Sequence, residues 1–139
     1  MKRAAVAVTV ATLWAAPDQT RPSDAAALRD EPDIGAWIAA MTPGEQIDSG
    51  VVTQLLLGDR VLVDEVRPDG WARVVAPGQP APGLDARGYP GWMRAAQLAE
   101  VPGTAEADGA ALVVDAVSTA LHDAPPGGSC CPASCSAPC

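Results

Sequence analysis

The chain has 139 residues, which allows one folded domain with appended segments and a core that needs no metal or disulfide support. Nine basic and seventeen acidic residues give a net charge of −8, and no basic stripe reverses that balance locally. We therefore expect no nucleic-acid partner. No apolar run reaches the length of a membrane span, so we expect no transmembrane segment.

The N-terminal segment fits two interpretations. Met1-Lys2-Arg3 and the apolar residues 4–16 have the basic start, apolar run and small-residue exit of a secretory signal. The even-numbered positions from Val6 to Trp14 instead carry mostly β-branched side chains, the period of a β-strand. We favour the strand, which predicts a cytoplasmic protein; a cleaved signal would place the protein outside the cell or in the envelope.

A long connection after this strand contains the clearest helix. Four apolar residues share one helical face at i, i+3, i+4 and i+7, namely Ile34, Trp37, Ile38 and Met41. Asp33 is the predicted N-cap, and Thr42-Pro43-Gly44 is the predicted stop. A shorter helical turn over 25–28 would be capped by Ser23 or Asp24.

Short strands make up most of the remaining pattern up to Glu100. We predict strands over 51–57, 61–66, 71–76 and 91–93, followed by a closing helical turn over 94–98. Arg67-Pro68-Asp69-Gly70 predicts a hairpin turn with a bulge, because proline and glycine occupy the positions that such a turn requires. Residues 76–88 contain three prolines and predict an exposed loop. The fold class is therefore all-β, a small β-barrel with a helical insertion.

The four tryptophans supply most of the bulky side chains, because phenylalanine is absent and tyrosine occurs once. They are Trp14, Trp37, Trp71 and Trp92. Core positions are favoured for all four, more clearly for Trp37 and Trp71, whose apolar neighbours share their face. An aromatic groove for a ligand is the alternative.

Composition changes near Val101, where we place a domain boundary. Residues 1–100 form the predicted barrel, 101–128 a linker with one strand-like run, and 129–139 a cysteine-rich tail without regular structure. The tail holds all four cysteines, Cys130, Cys131, Cys135 and Cys139. Zinc binding, disulfides and an accidental reading-frame tail are three interpretations of it. The cysteine spacing lacks the paired ligands that zinc sites usually have, which counts against zinc, and the third interpretation is favoured.

Catalysis by this chain is not expected. Its only histidine, His122, lies in a segment rich in proline and glycine that offers no scaffold to hold a base beside Cys130. We predict no metal site and no cofactor.

Several segments together resemble a known family. They are Thr9–Trp14, the helix with Trp37, Thr53–Asp59, Gly70–Val74 and Arg87–Trp92. In this order they look like the N-terminal bacterial SH3-like (SH3b) domain of NlpC-type cysteine peptidases, the γ-D-glutamyl-L-diamino-acid endopeptidases that cut murein peptides. The resemblance covers about residues 5–100.

The resemblance implies a domain order and a function. Residues 111–125 look like the start of a second SH3b domain, and the likeness stops after Gly128, before the expected catalytic domain with its Asp-Cys-Ser-Gly motif. The chain would then be a non-catalytic accessory domain that packs on a peptidase domain not present here and helps to recognise murein peptides. The alternative is an exported module that binds peptidoglycan without an enzymatic partner.

The resemblance also implies a recognition site. A tyrosine of the first SH3b domain, with an acidic partner, lines the peptidase site and recognises the free amino end of L-Ala-γ-D-Glu peptides. Tyr89 matches that tyrosine, Asp59 is the nearest acidic candidate, and Trp92 completes the predicted substrate-binding residues. Packing of Tyr89 on Trp92 and a solvated turn carboxylate at Asp59 are the structural alternatives. Arg73 and Arg87 are either ligand-carboxylate partners or surface arginines in salt bridges.

Overall fold

The computed structural model describes residues 2–47 and 50–101, all within the first of two units into which the chain divides, Met1–Ala105 and Glu106–Cys139. The strands are β1 (Lys2–Val6), β2 (Val10–Trp14), β3 (Val51–Leu56), β4 (Arg60–Val66), β5 (Trp71–Ala76), β6 (Tyr89–Arg94) and β7 (Leu98–Glu100). The helices are α1 (Ile34–Ala40) and α2 (Pro43–Ile47), with 3₁₀ turns at Pro17–Gln19, Pro22–Ala26 and Ala95–Gln97.

The strands form one antiparallel sheet in the order β3-β2-β6-β5-β4-β1-β7. Leu55 on one edge strand and Val6, next to the other edge, belong to the same buried cluster. The sheet therefore curls around a single core, whose other members include Leu13, Val74 and Met93. This arrangement confirms the predicted all-β, SH3-like barrel.

The N-terminal segment is extended, as predicted, but it forms two strands rather than one. The chain leaves the ladder at residues 7–9, where the Ala7 N–H donates to the Gln97 carbonyl (2.9 Å). β1 pairs with β4 and β7, whereas β2 pairs with β3 and β6. The period-two pattern continues through residues 7–9, so the sequence pattern alone does not show that the strand is interrupted there.

Strand β2 is buried on both faces. Ala11 and Leu13 belong to the barrel core, whereas Trp14 belongs to a second cluster with Ala27, Trp37 and Trp71. The Trp14 and Trp37 rings lie 5.8 Å apart. The second cluster attaches the segment between β2 and β3, which we call the helical insertion, to the outside of the barrel.

Helix α1 confirms the predicted helix, and Asp33 caps it by accepting a hydrogen bond from Ala36 N–H (2.9 Å). The predicted apolar face is wrong at Ile38, which is 51% exposed. The stop at Thr42-Pro43-Gly44 is also the start of α2, which was not predicted. Thr42 and Glu45 form a reciprocal cap there, and Pro43 occupies the first helical position.

The predicted hairpin turn between β4 and β5 is confirmed. Gly70 has φ of +82°, and its N–H donates to the Arg67 carbonyl (3.0 Å). A second irregularity interrupts β4, where the register passes from Val63 opposite Val74 to Glu65 opposite Arg73. Asp64 is the extra residue of this bulge.

Near residue 100 the structure differs from the predicted strands in two respects. Strand β6 is longer than the predicted 91–93, and the short strand β7 was not predicted. Within residues 2–47 and 50–101, no helix is long and apolar enough to cross a membrane. The predictions for His122, the four cysteines and a second SH3b domain concern residues outside the described ranges.

Candidate functional site

A shallow groove of about 270 Å³ lies where the β3–β4 turn approaches the start of the loop after β5. We call it the rim groove. It is lined by Leu55, Asp59, Arg60, Ala76, Pro77, Gly78 and Gln79. Leu55 and Ala76 are buried members of the barrel core, whereas Asp59 and Arg60 are exposed. The groove thus combines an apolar floor with a charged edge, the usual composition of a small-ligand site.

Asp59 is held by the tight turn after β3. Its Oδ2 accepts a hydrogen bond from Leu56 N–H (2.8 Å), while Oδ1 has no hydrogen-bond partner among the described residues. The turn is closed further by Gly58, whose N–H donates to the Val6 carbonyl (2.9 Å) and whose φ is +88°. The carboxylate is therefore fixed in place with one oxygen available to a ligand.

Gln79 ties the loop to β3 at the other wall of the groove. Its side-chain oxygen accepts from the Thr53 hydroxyl (2.7 Å), and its amide donates to the Gln54 carbonyl (2.9 Å). Its backbone N–H donates to the Ala76 carbonyl (3.1 Å). Because these bonds join two separate strands, the wall formed by residues 76–79 is held in place.

Tyr89 begins β6 directly opposite Ala76, and its half-buried side chain packs against the barrel core. Paired residues of antiparallel strands project to the same face, so Tyr89 lies beside Ala76, a lining residue of the rim groove, although Tyr89 itself is not one of the lining residues. The structure therefore brings the predicted residues Asp59 and Tyr89 to the same end of the barrel.

Trp92 lies elsewhere. It is three residues after Tyr89 on the same strand and packs with the second cluster beside Trp14, on the opposite face of β6. The Arg67 guanidinium lies 5.6 Å from its ring centroid. The three predicted substrate-binding residues thus do not form one surface, and Tyr89 packs in a different cluster from Trp92.

Arg87 is engaged by two carboxylates, an arrangement we call the Arg87 clamp. Its guanidinium donates to both oxygens of Asp64 (2.8 Å each) and to both oxygens of Asp85 (3.1 and 2.7 Å). The Arg87 hydrogen bonds lower the pKa of Asp64, and they lower the pKa of Asp85 to about 2. The same bonds raise the pKa of Arg87. Arg87 is therefore a salt-bridged arginine, the structural alternative of the two predicted for it.

Arg73 is exposed on β5 opposite Trp92. Its positive charge makes a further, smaller contribution to the lowered pKa values of Asp64 and Asp85. It faces away from the side of β5 that Ala72, Val74 and Ala76 present to the core. A ligand in the rim groove would accordingly meet Asp59 and Arg60 before Arg73.

The helical insertion contains a buried polar network. Asp24, whose side chain is 0% exposed, accepts hydrogen bonds from the Arg21 guanidinium (3.1 Å) and from Trp37 Nε1–H (2.9 Å). Burial raises the pKa of Asp24, but the bonds from Arg21 and Trp37 outweigh it, and the net shift is downward. The buried Gln97 amide donates to the Ala27 and Arg29 carbonyls. No buried side-chain polar atom in the described residues lacks a partner, so this network is structural.

Sequence reasoning missed Arg60 and Gln79 in the groove and Asp64 and Asp85 in the clamp. One signal existed for Asp64. Val61 and Val63 alternate toward the core, and the next position of that alternation carries Glu65, which marks a break in the strand. Gln79 carried no signal, because its two partners lie 25 and 26 residues away in sequence.

The described residues are limited in the nucleophiles and metal ligands that they carry. Residues 1–101 contain neither cysteine nor histidine. No group of three or more potential metal ligands occurs within the described ranges. The rim groove offers a carboxylate and a guanidinium, which suit a small polar ligand with charged ends.

The chain is similar to proteins of one kind. A gamma-D-glutamyl-L-lysine dipeptidyl-peptidase of Bacillus subtilis is 42% identical over 93 residues, covering 64% of this chain and 31% of the relative. One of Bacillus cereus is 39% identical over 100 residues, covering 69% of this chain and 29% of the relative. The chain thus spans about a third of each relative's length. No family model matches it.

A crystal structure of an NlpC/P60 family protein from Bacillus cereus superposes on the chain with a TM-score of 0.62 and 37% identity. The match covers 70% of this chain and 32% of that one. Sequence and fold therefore agree with the resemblance drawn from the segments around Trp14, Trp71 and Trp92. The chain corresponds to a segment of the NlpC/P60 gamma-D-glutamyl-L-lysine dipeptidyl-peptidases, about one third of their length.

Proposed function

We propose that the described barrel is a non-catalytic accessory domain of a murein-peptide cysteine endopeptidase. In this proposal the rim groove recognises the free amino end of L-Ala-γ-D-Glu peptides, with Asp59 as the partner of the ammonium group and Tyr89 on the adjoining wall. The observation that carries the proposal is the Asp59 carboxylate, fixed through Oδ2 in a groove while Oδ1 has no partner among the described residues.

The chemistry of the relatives supports this choice. A dipeptidyl-peptidase releases two residues counted from a free amino end, so its site must distinguish an ammonium group from a peptide nitrogen. A fixed carboxylate does this, because it forms a charge-assisted hydrogen bond with the ammonium group and leaves a blocked amine without that bond. Intact, cross-linked wall would then be rejected.

The nucleophile and base of such a peptidase would belong to another domain, since residues 1–101 contain no cysteine and no histidine. That domain is the proposed partner of this one. The full chain alone should hydrolyse no γ-D-glutamyl peptide, and measurable hydrolysis would overturn the accessory role.

We propose a cytoplasmic location, in keeping with the contribution of residues 2–14 to the barrel. Cleavage near Ala15 or Ala16 would remove β1 and β2, together with Val6, Ala11 and Leu13 of the core. Mass spectrometry of the mature N-terminus tests this: an intact start agrees with it, and cleavage near Ala15 would favour export.

The binding proposal is tested by calorimetric titration of the full chain with L-Ala-γ-D-Glu and with its N-acetylated form. Only the free-amine peptide should bind. Asp59→Asn should weaken binding about tenfold, the loss of one charge-assisted hydrogen bond of about 1.4 kcal/mol. Asp30→Asn is the matched control, because Asp30 is exposed and outside the groove. Equal binding of both peptides, or equal effects of both substitutions, would contradict the proposal.

A further inference from the structure

We infer that the Arg87 clamp is a positioning device that sets the place of Tyr89 at the rim groove. Arg87, Asp64 and Asp85 would act on recognition through Tyr89 without touching the peptide. The inference rests on the proposed function and adds to it three residues that hold the recognising side chain in place.

The clamp fastens the end of the loop to the middle of the sheet. Arg87 bridges Asp64, 23 residues earlier on β4, and Asp85, two residues earlier in the loop. Its own backbone N–H also donates to Asp85 Oδ1 (2.8 Å). A planar guanidinium that meets two carboxylates through paired bonds fixes both distance and orientation, which a single lysine bond cannot do.

The bulge in β4 makes Asp64 available for this contact. Val63 and Glu65 face Val74 and Arg73 on β5, whereas Asp64 has no partner across the strand pair. Bulges commonly redirect one side chain out of the regular alternation. Here the redirected carboxylate meets Arg87, which joins β4 to a loop that ends on β6.

Gly88 connects Arg87 to Tyr89, and its own backbone position is restricted. Its φ is +142°, and a Cβ at this position would overlap the carbonyl group of Ala76. The Gly88 backbone therefore lies in close contact with the end of β5, while the preceding residue, Arg87, is bonded to Asp64 and Asp85. Tyr89 follows directly and enters the ladder opposite Ala76, so its position depends on both contacts.

The exposure of the three clamp side chains indicates that they position Tyr89 and contribute little to the stability of the fold. The side chains of Arg87, Asp64 and Asp85 are 40%, 26% and 22% exposed. Ion pairs with this access to water contribute little to stability. Small displacements of a recognising group nevertheless weaken binding strongly, because hydrogen bonds depend steeply on distance and angle.

The experiment compares Arg87→Lys, which keeps the charge but loses the paired bonds, with the exposed control Arg29→Lys. Titration with L-Ala-γ-D-Glu is repeated in wild-type and Tyr89→Phe backgrounds. We expect Arg87→Lys to weaken binding about fivefold in the wild type and to add nothing after Tyr89→Phe, since a positioning residue acts only through its target. Arg29→Lys should change neither value.

A ligand-free readout separates the inference from the proposed function. In the unliganded protein, Arg87→Lys and Asp64→Asn should each shift the Tyr89 backbone amide resonance and speed its hydrogen exchange, whereas Arg29→Lys should not. Unchanged Tyr89 signals in folded variants, or an equal Arg87→Lys effect in both backgrounds, would overturn the clamp. Full binding by Tyr89→Phe would contradict the proposed function, while the resonance shifts would still test the clamp.

Discussion

Two irregular segments of this protein are each anchored by an arginine and aspartates, and they differ in burial. In the helical insertion, Asp24 is 0% exposed and binds both Arg21 and Trp37 Nε1–H. In the loop before β6, Arg87 binds Asp64 and Asp85 in partial contact with water. The first anchor bonds Trp37 of the second cluster, and the second precedes Gly88 and Tyr89, which meet Ala76 at the end of β5.

The difference shows what each anchor contributes. Removing a buried carboxylate leaves its buried donors unsatisfied, so the insertion depends on Asp24 for stability. An exposed pair is largely replaced by water when it is broken, so its contribution is mainly geometric. In our proposal, similar residue types therefore support the fold in one region and position the site in the other.

The largest expected effect follows from removing the buried anchor. Asp24→Ala should lower the free energy of unfolding by about 3 kcal/mol, because Trp37 Nε1–H and the Arg21 guanidinium lose their shared acceptor. Urea unfolding followed by tryptophan fluorescence measures this. Asp18→Ala, at an exposed position, is the control. A loss no larger than that of the control would contradict a structural role for the buried network.

A backbone substitution beside the exposed anchor should have the next largest effect. Gly88→Ala should destabilise by about 2 kcal/mol, because an added Cβ meets the Ala76 carbonyl at a φ that other residues rarely adopt. Gly78→Ala is the matched control on the same loop, since its Cβ would meet nothing within 4 Å. Equal unfolding midpoints for the two variants would contradict the close approach.

The smallest effect concerns pH. The folded pKa of Asp85 is about 2, below its ordinary value of 3.8, so its contribution to stability is complete above pH 3.8 and is lost as pH falls through 2. Wild type and Asp85→Asn should therefore differ in melting temperature by a constant amount at neutral pH. The difference should shrink between pH 4 and 2. A difference that stays constant to pH 2 would show that the ionised clamp does not contribute.

The sequence predicted the elements with strong local signals. The Asp33 cap, the helix around Trp37, the turn at Gly70 and the alternation of β5 all arise from residues close together in the chain, and the structure agrees with them. The two-strand N-terminus escaped prediction because Val6, Val8 and Val10 keep one period through the break. The helix α2 was missed because Pro43 serves equally as a stop and as a first helical residue.

The site was less predictable for a physical reason. Asp59 and Tyr89 lie at the same end of the barrel only because β3, β4, β5 and β6 curl around a common core, and such an arrangement leaves no trace in local patterns. Trp92 looked equivalent to Tyr89 in the motif Gly-Tyr-Pro-Gly-Trp. A spacing of three along a strand places the two side chains on opposite faces.

In our proposal, recognition belongs to the rim groove and not to the second cluster, which contains Trp14, Trp37 and Trp71. Two-dimensional NMR of the full chain during titration with L-Ala-γ-D-Glu tests it directly. We predict shifts at the backbone amides of residues 56–60, 76, 78, 79, 88 and 89, with the indole signals of Trp14 and Trp37 unchanged. Shifts confined to the indole signals of Trp14 and Trp37, or no shifts with the free-amine peptide, would contradict recognition at the rim groove.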